Sequence, residues 1–135
     1  MNMQAWQAAF SGLAEFAARS NVYPYMINKI IGEIETKVRG AASTSEEKKQ
    51  ELLDLLGRLK TEIASLEKTH REQADSIAGF TQLSAHEATR QNKNPDTLEH
   101  SVAGLRSSVE EFEQSHPKLA QIVDNLSKTL SSWGI

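Results

Sequence analysis

The feature that most constrains this chain is a narrow seam that runs through residues 45–91. The seam positions recur in alternating steps of four and three, at Leu52, Leu56, Leu59, Ile63, Leu66, His70, Gln73, Ile77 and Phe80. This heptad spacing keeps one stripe of a helix facing a partner helix. No proline interrupts the chain from Tyr25 to Asn94. The pattern therefore predicts one long helix over residues 45–91, with other helices lying along it.

Shorter patterns of the same kind predict the other helices. The predicted set covers about 26–39, 45–91, 95–115 and 117–132. Gly40 ends the first of these, while Asn94 and Pro95 suit the N-cap and first position of the third. Because short connections make neighbouring helices antiparallel, we expect an all-α fold. Its predicted form is an antiparallel helical bundle with a long coiled-coil-like helical hairpin, whose far end projects as a thin arm.

The first residues differ in composition from the rest of the chain and suggest a division into two parts. Residues 1–25 are predicted to be an N-terminal helical extension, and residues 26–135 the bundle and hairpin domain. Large apolar side chains at both ends of the chain form the predicted interaction surface, which consists of Trp6, Phe10, Phe16 and Trp133. We expect the extension to dock on the bundle or on a second copy. An interfacial membrane helix and a poorly ordered leader are the alternatives, and the lack of Lys and Arg on the polar face argues against the membrane helix.

Composition and motifs argue against several classes of function. The net charge is −3 and no run of Lys or Arg marks a nucleic-acid site. Without cysteine the chain has no disulfide, thiol nucleophile or Cys-type zinc site. It shows no basic leader before an apolar stretch and no apolar stretch long enough to span a membrane, so we expect a cytoplasmic protein. No phosphate loop or nucleophile motif appears, so we expect neither an enzyme nor a cofactor.

Histidine spacing raises the one chemical hypothesis in the sequence. His70 and His116 are placed symmetrically about residue 93, the middle of the predicted turn. An antiparallel hairpin would put them at the same level, where they could form a pH-sensitive joint; separate capping roles are the alternative.

The Glu-x-x-His spacing of metal-binding bundles occurs once, at Glu113 and His116. A helix cap at Ser115 explains the same residues with less assumption, so no metal site is expected.

Two phrases near the C-terminus resemble a known family. Residues 112–119 have the form Phe-Glu-x-Ser-His-Pro-x-Leu, and residues 130–135 the form Leu-Ser-x-x-Gly-Ile. They are similar to the ending of a small bacterial family of helical proteins of unknown function, and the resemblance extends back to about Met26. It implies no activity, ligand or site residue.

These observations favour a non-catalytic structural or protein-interaction module. A small helical adaptor or chaperone that binds a partner helix is the alternative, and a metal-binding helical bundle the third interpretation. Small residues on the predicted arm would let another helix pair approach closely; they are Ala74, Ala78, Ala85, Ala88, Ala103 and Gly104. Because a thin arm buries little by itself, we expect a homo-oligomer.

Overall fold

The computed structural model describes residues 22–41, 44–66 and 68–133. Within these ranges the chain forms five α-helices and one 3₁₀ turn. They are α1 (Val22–Arg39), α2 (Glu46–Leu66), α3 (Arg71–Thr89), α4 (Pro95–Ser107), the 3₁₀ turn (Glu110–Phe112) and α5 (Pro117–Trp133). The described residues contain no strand, and the predicted all-α bundle is confirmed. None of these helices is long and apolar enough to span a membrane.

The helices close into a ring. α1 packs on α2, α2 on α5, α5 on α4, α4 on α3, and α3 on α1, with a further contact between α3 and α5. Contacts in reversed order show that α1 and α2 are antiparallel, because Lys49 bonds the Arg39 carbonyl and Lys60 pairs with Glu35. The helices α3 and α4 are antiparallel by the same test, because Thr97 bonds Glu87 and Gly104 lies against Phe80. The leucine-rich part of α2 lies at the centre of the core, as its sequence predicts, and Leu52, Leu56, Leu59 and Ile63 are all buried.

The predicted helix over residues 45–91 is interrupted, which corrects the expectation of a projecting arm. α2 ends at Leu66, whose carbonyl accepts hydrogen bonds from the backbone N–H groups of Thr69 at 3.2 Å and His70 at 2.8 Å. His70 has a non-helical backbone, with φ −135° and ψ 62°, and α3 begins at the next residue. The second part of the predicted helix therefore folds back against the bundle.

The buried face of α3 explains why folding back is favourable. This face consists mainly of short side chains, namely Ala74, Ile77, Ala78, Thr81, Ser84, Ala85 and Ala88. If α2 continued straight beyond Leu66, these residues would stay in water. The seam of that longer helix would then present only His70 and Gln73 between Leu66 and Ile77, and neither is an apolar residue. Folding back buries the short side chains against α1, α4 and α5. The small residues that the sequence assigned to a second chain are therefore used largely within this one.

Helix boundaries follow local signals in several places. The Asn94 side chain accepts a hydrogen bond from the backbone N–H of Thr97 at 3.3 Å, which confirms the predicted cap of α4. α1 begins at Val22, four residues before the predicted domain start at Met26, and includes Pro24 in its first turn. Proline is tolerated there because the first N–H groups of a helix have no partner within it. Residues 1–21 lie outside the described residues.

Candidate functional site

The two histidines singled out in the sequence do meet in the structure. Their ring centroids are 6.3 Å apart, and the ring of Phe112 contacts both, at 5.2 Å from His70 and 5.5 Å from His116. All three contacts are edge-to-face, within the range in which aromatic rings attract each other. Phe112 is buried, while both histidines are half-buried. We refer to these three residues as the histidine joint.

Similar local sequences place the two rings. Each histidine follows a hydroxyl residue and immediately precedes a helix, His70 after Thr69 and before α3, His116 after Ser115 and before α5. Each Nδ1 lies within hydrogen-bond distance of the preceding hydroxyl, at 2.8 Å for Thr69 and 2.9 Å for Ser115. Each backbone carbonyl accepts a hydrogen bond from the first turn of its helix. The His70 side chain makes no capping hydrogen bond to α3, so its Nδ1 contact is with Thr69 and its ring contacts are with Phe112 and His116.

The histidine joint connects two corners of the bundle. His70 lies where α2 turns into α3, and Phe112 and His116 lie where the 3₁₀ turn leads into α5. The backbone N–H of His116 also donates to the Phe112 carbonyl at 2.7 Å. Within the described ranges, no three His, Asp or Glu side chains are grouped to hold a metal ion. The three ring contacts make the joint a packing contact between corners, and its pH sensitivity stays a prediction.

The predicted interaction surface needs a correction. Trp133 is only 8% exposed and belongs to the hydrophobic core. It continues the buried face of α5 through Leu126 and Leu130, because steps of four and three residues return to the same side of a helix. The other predicted members, Trp6, Phe10 and Phe16, lie outside the described residues.

A different apolar surface lies on α3. Phe80 is 36% exposed and Leu83 is 47% exposed, the highest values among large apolar side chains in the described part of the chain. With Ser76 and Gly79, which are also exposed, they follow the i, i+3, i+4, i+7 spacing of one helix face. We refer to these four residues as the α3 stripe. The heptad pattern placed Phe80 in the seam and gave no role to Leu83, although the i, i+3, i+4, i+7 spacing is present in the sequence.

Phe80 marks a close approach between α3 and α4. Its ring lies against Gly104, where an added Cβ would come within 2.4 Å of Phe80 Cε1. No such contact exists at Gly79 on the outer side of α3, where a Cβ would meet nothing within 4 Å. Within the α3 stripe, Phe80 is therefore partly covered by α4, whereas the space beside Gly79 is open.

Glu87, which no sequence pattern described above singled out, organises the connection between α3 and α4. This side chain is 7% exposed and accepts hydrogen bonds from Arg90 Nη1 and Thr97 Oγ1, both at 2.8 Å. The bonds from Arg90 and then Thr97 lower the pKa of the Glu87 carboxyl below its ordinary value. Next to it, Lys93 Nζ donates to the Ala88 carbonyl at the end of α3. The Glu-x-x-Arg spacing at residues 87–90 was the available signal.

Comparison with known proteins places the chain in a family. The chain matches no curated protein and no solved structure. Residues 52–135 match DUF4404, a domain of unknown function. The match begins within α2 and includes both C-terminal phrases, at residues 112–119 and 130–135, whereas α1 lies before it. Since it spans more than half of the sequence, the chain belongs to the DUF4404 family.

Proposed function

We propose that the chain is a non-catalytic protein-interaction module that docks a helix on the α3 stripe. The observation that carries this proposal is the exposure of Phe80 and Leu83 side by side on one helix face. Gly79 and Ser76 beside them are small, so the backbone of an approaching helix could come close to α3. An apolar ridge next to a shallow gap is the arrangement by which helices pack against each other.

The perturbed titratable groups support a non-catalytic role. Strongly shifted pKa values often mark active sites, but structural contacts also shift them. Here the pKa of Glu87 is lowered by hydrogen bonds from Arg90 and Thr97, and the pKa of Lys93 is lowered by burial. Glu87 bonds Thr97 at the start of α4, and Lys93 bonds the Ala88 carbonyl at the end of α3, so the fold itself accounts for both residues.

A second copy of the chain is the occupant that we propose for the α3 stripe. Two such stripes packed antiparallel would set Phe80 of one copy beside Gly79 of the other, so the surface is complementary to itself. The stripe has only two large apolar side chains, which is little for a stable interface. We therefore propose weak, concentration-dependent self-association rather than an obligate dimer. An adaptor role, in which the same stripe binds an amphipathic helix of another protein, is the alternative.

Sedimentation equilibrium over a wide concentration range tests this proposal. The wild-type chain should self-associate reversibly, and Leu83→Glu should remain a monomer because it places a charge in the contact. Ala64→Glu is the matched control, since Ala64 is exposed on α2 and lies outside the stripe. Association that survives Leu83→Glu would place the interface elsewhere.

A wild-type chain that stays monomeric throughout would exclude self-association and leave the adaptor role to be tested. Because the chain has no cysteine, Leu83→Cys and Ala64→Cys can each carry a single photo-crosslinker. A partner captured from position 83, absent from position 64 and lost with Phe80→Ala, would support the adaptor.

A further inference from the structure

A basic concavity lies where the C-terminal ends of α1 and α3 come together. Its volume is about 570 Å³, within the range of small-molecule sites. The described residues that line it are Lys37, Gly40, Ala41, His86, Thr89, Arg90, Gln91 and Lys93. Four of these carry basic side chains, contributed by α1, by α3 and by the connection that follows α3. Donors from three segments therefore surround one space.

The charge of this lining differs from that of neighbouring concavities. None of the described residues that line it is acidic. Three other concavities, with volumes of about 340–450 Å³, each include a carboxylate: Glu99 in one, Glu62 in the next, and Glu51 with Asp54 in the third. In those three, Lys or Arg side chains have acidic neighbours. In the basic concavity no described lining residue is such a neighbour, and Arg90 pairs with Glu87, which lies outside the lining.

Two of the basic side chains are held in place. Lys37 Nζ lies 3.0 Å from His86 Nδ1. An ammonium group can only donate, so Nδ1 is the acceptor and the imidazole proton is on Nε2, which leaves His86 a second N–H group to offer. On the other side, Glu87 fixes Arg90 through the bond at 2.8 Å. Arg90 keeps further N–H groups that this single bond does not use.

The net charge of the basic concavity indicates the charge and size of the ligand it can hold. Lys37, Arg90 and Lys93 contribute three positive charges, and Glu87 behind Arg90 offsets one of them. The C-terminal ends of α1 and α3 contribute roughly half a negative charge each. About one positive charge is left, which suits a single small anion rather than a polyanion such as nucleic acid.

We infer that the basic concavity binds a small phosphate-bearing molecule. Phosphate has acceptor oxygens on several sides, so it can accept hydrogen bonds from Lys37, His86 and Arg90, which belong to different segments. A carboxylate has its acceptors in one plane and fits this arrangement less well. Lys93, whose ammonium donates to the Ala88 carbonyl, is a further positively charged residue of the lining.

An NMR titration of the full chain with inorganic phosphate tests the inference, with chloride at equal ionic strength as the reference. Phosphate should shift the amide signals of residues 37–41 and 86–93 in a saturable way. Lys37→Gln should weaken binding by at least about tenfold, since it removes a charge-assisted hydrogen bond. The matched control is Lys118→Gln, which removes a lysine from a concavity that also contains Glu62 and should bind phosphate as the wild type does.

Several outcomes would overturn the inference. Shifts scattered over many lysines, or shifts that chloride reproduces, would show non-specific ion binding only. Wild-type affinity in Lys37→Gln would show that the concavity does not hold the anion. His86→Ala is a second variant should Lys37→Gln fail to fold, because His86 is exposed on α3; retained affinity there would count equally against the site.

Discussion

A methyl group added at Gly104 tests the packing of α3 on α4 through one contact. In Gly104→Ala the new Cβ would lie 2.4 Å from Phe80 Cε1, 2.7 Å from Cδ1 and 2.9 Å from Cζ. Carbon atoms do not approach so closely, so the Phe80 ring must leave its place. The ring can move outward, because it is already partly exposed at the edge of the helix pair. The cost should therefore be lost packing rather than unfolding.

The change in the free energy of unfolding for Gly104→Ala is the difference between two opposing contributions, a gain in helix propensity and a loss of Phe80 packing. Replacing glycine by alanine inside an exposed helix stabilises the folded chain by about 1 kcal/mol. Fully burying a phenylalanine side chain is worth about 1.5–3 kcal/mol, and roughly two thirds of Phe80 is covered, so releasing the ring costs roughly 1–2 kcal/mol. Gly104→Ala should therefore leave the free energy of unfolding nearly unchanged or lower it by about 1 kcal/mol.

Gly57→Ala supplies the matched control. Gly57 lies inside α2, is exposed, and has nothing within 4 Å of an added Cβ. We expect this change to stabilise the chain by the full amount of about 1 kcal/mol. Urea denaturation followed by circular dichroism measures both variants on the same scale. The two variants should differ by roughly 1–2 kcal/mol.

A double-mutant cycle with Phe80→Ala attributes that difference to the ring. Once the ring is removed, Gly104→Ala should become as stabilising as Gly57→Ala, which gives a coupling energy of roughly 1–2 kcal/mol between positions 80 and 104. The reasoning is refuted if Gly104→Ala is as stabilising as Gly57→Ala while Phe80 is present. A coupling energy near zero would likewise show that the ring does not rest on Gly104.

Three further predictions concern the core, the connection after α3 and the histidine joint. Leu56→Ala should lower the free energy of unfolding by about 2–5 kcal/mol, because it leaves a cavity in the core, whereas Leu83→Ala at the surface should cost much less; equal costs in urea melts would contradict the burial pattern. The lowered pKa of Glu87 means that its contribution is present above the ordinary value of 4.5 and is lost as pH falls through the folded-state pKa, so between about pH 6 and 3.5 the wild type should lose more stability than Glu87→Gln. His70→Ala removes one edge-to-face contact with the buried Phe112 ring and should lower the free energy of unfolding by roughly 0.5–1.5 kcal/mol, and an unchanged urea melt would show that the ring contacts of the histidine joint add no stability.

Much of the local structure could be predicted from sequence because the signals lie within a few residues of each other. Asn94 and Pro95 define the start of α4 through one side-chain bond and one fixed backbone angle. Apolar periodicity identifies the buried face of α2. Counting outward from the turn after α3 also placed His70 opposite His116, because antiparallel helices joined by a short connection pair residues at equal distances from it.

The path of the chain after Leu66 depended on tertiary structure. Residues 67–70 contain neither glycine nor proline, so local preferences did not forbid a continuous helix. The break is favourable because it buries the short side chains of α3 against α4, which follows it in the chain, and against α1 and α5, which are distant in sequence. A heptad pattern shows which residues are apolar. It does not show how much free energy is gained when alanine and serine pack closely against the backbone of another helix.

Which residues form the candidate surfaces also depended on how the helices pack against one another. By itself the sequence determined the all-α class, the buried face of α2 and the start of α4 at Asn94, because these arise from interactions within a few residues. Tertiary packing decided that Trp133 is buried, that Leu83 is exposed, and that Lys37 meets His86. Exposure and the convergence of charges depend on which helices become neighbours, and that choice is made by burial summed over the whole bundle rather than by any local signal.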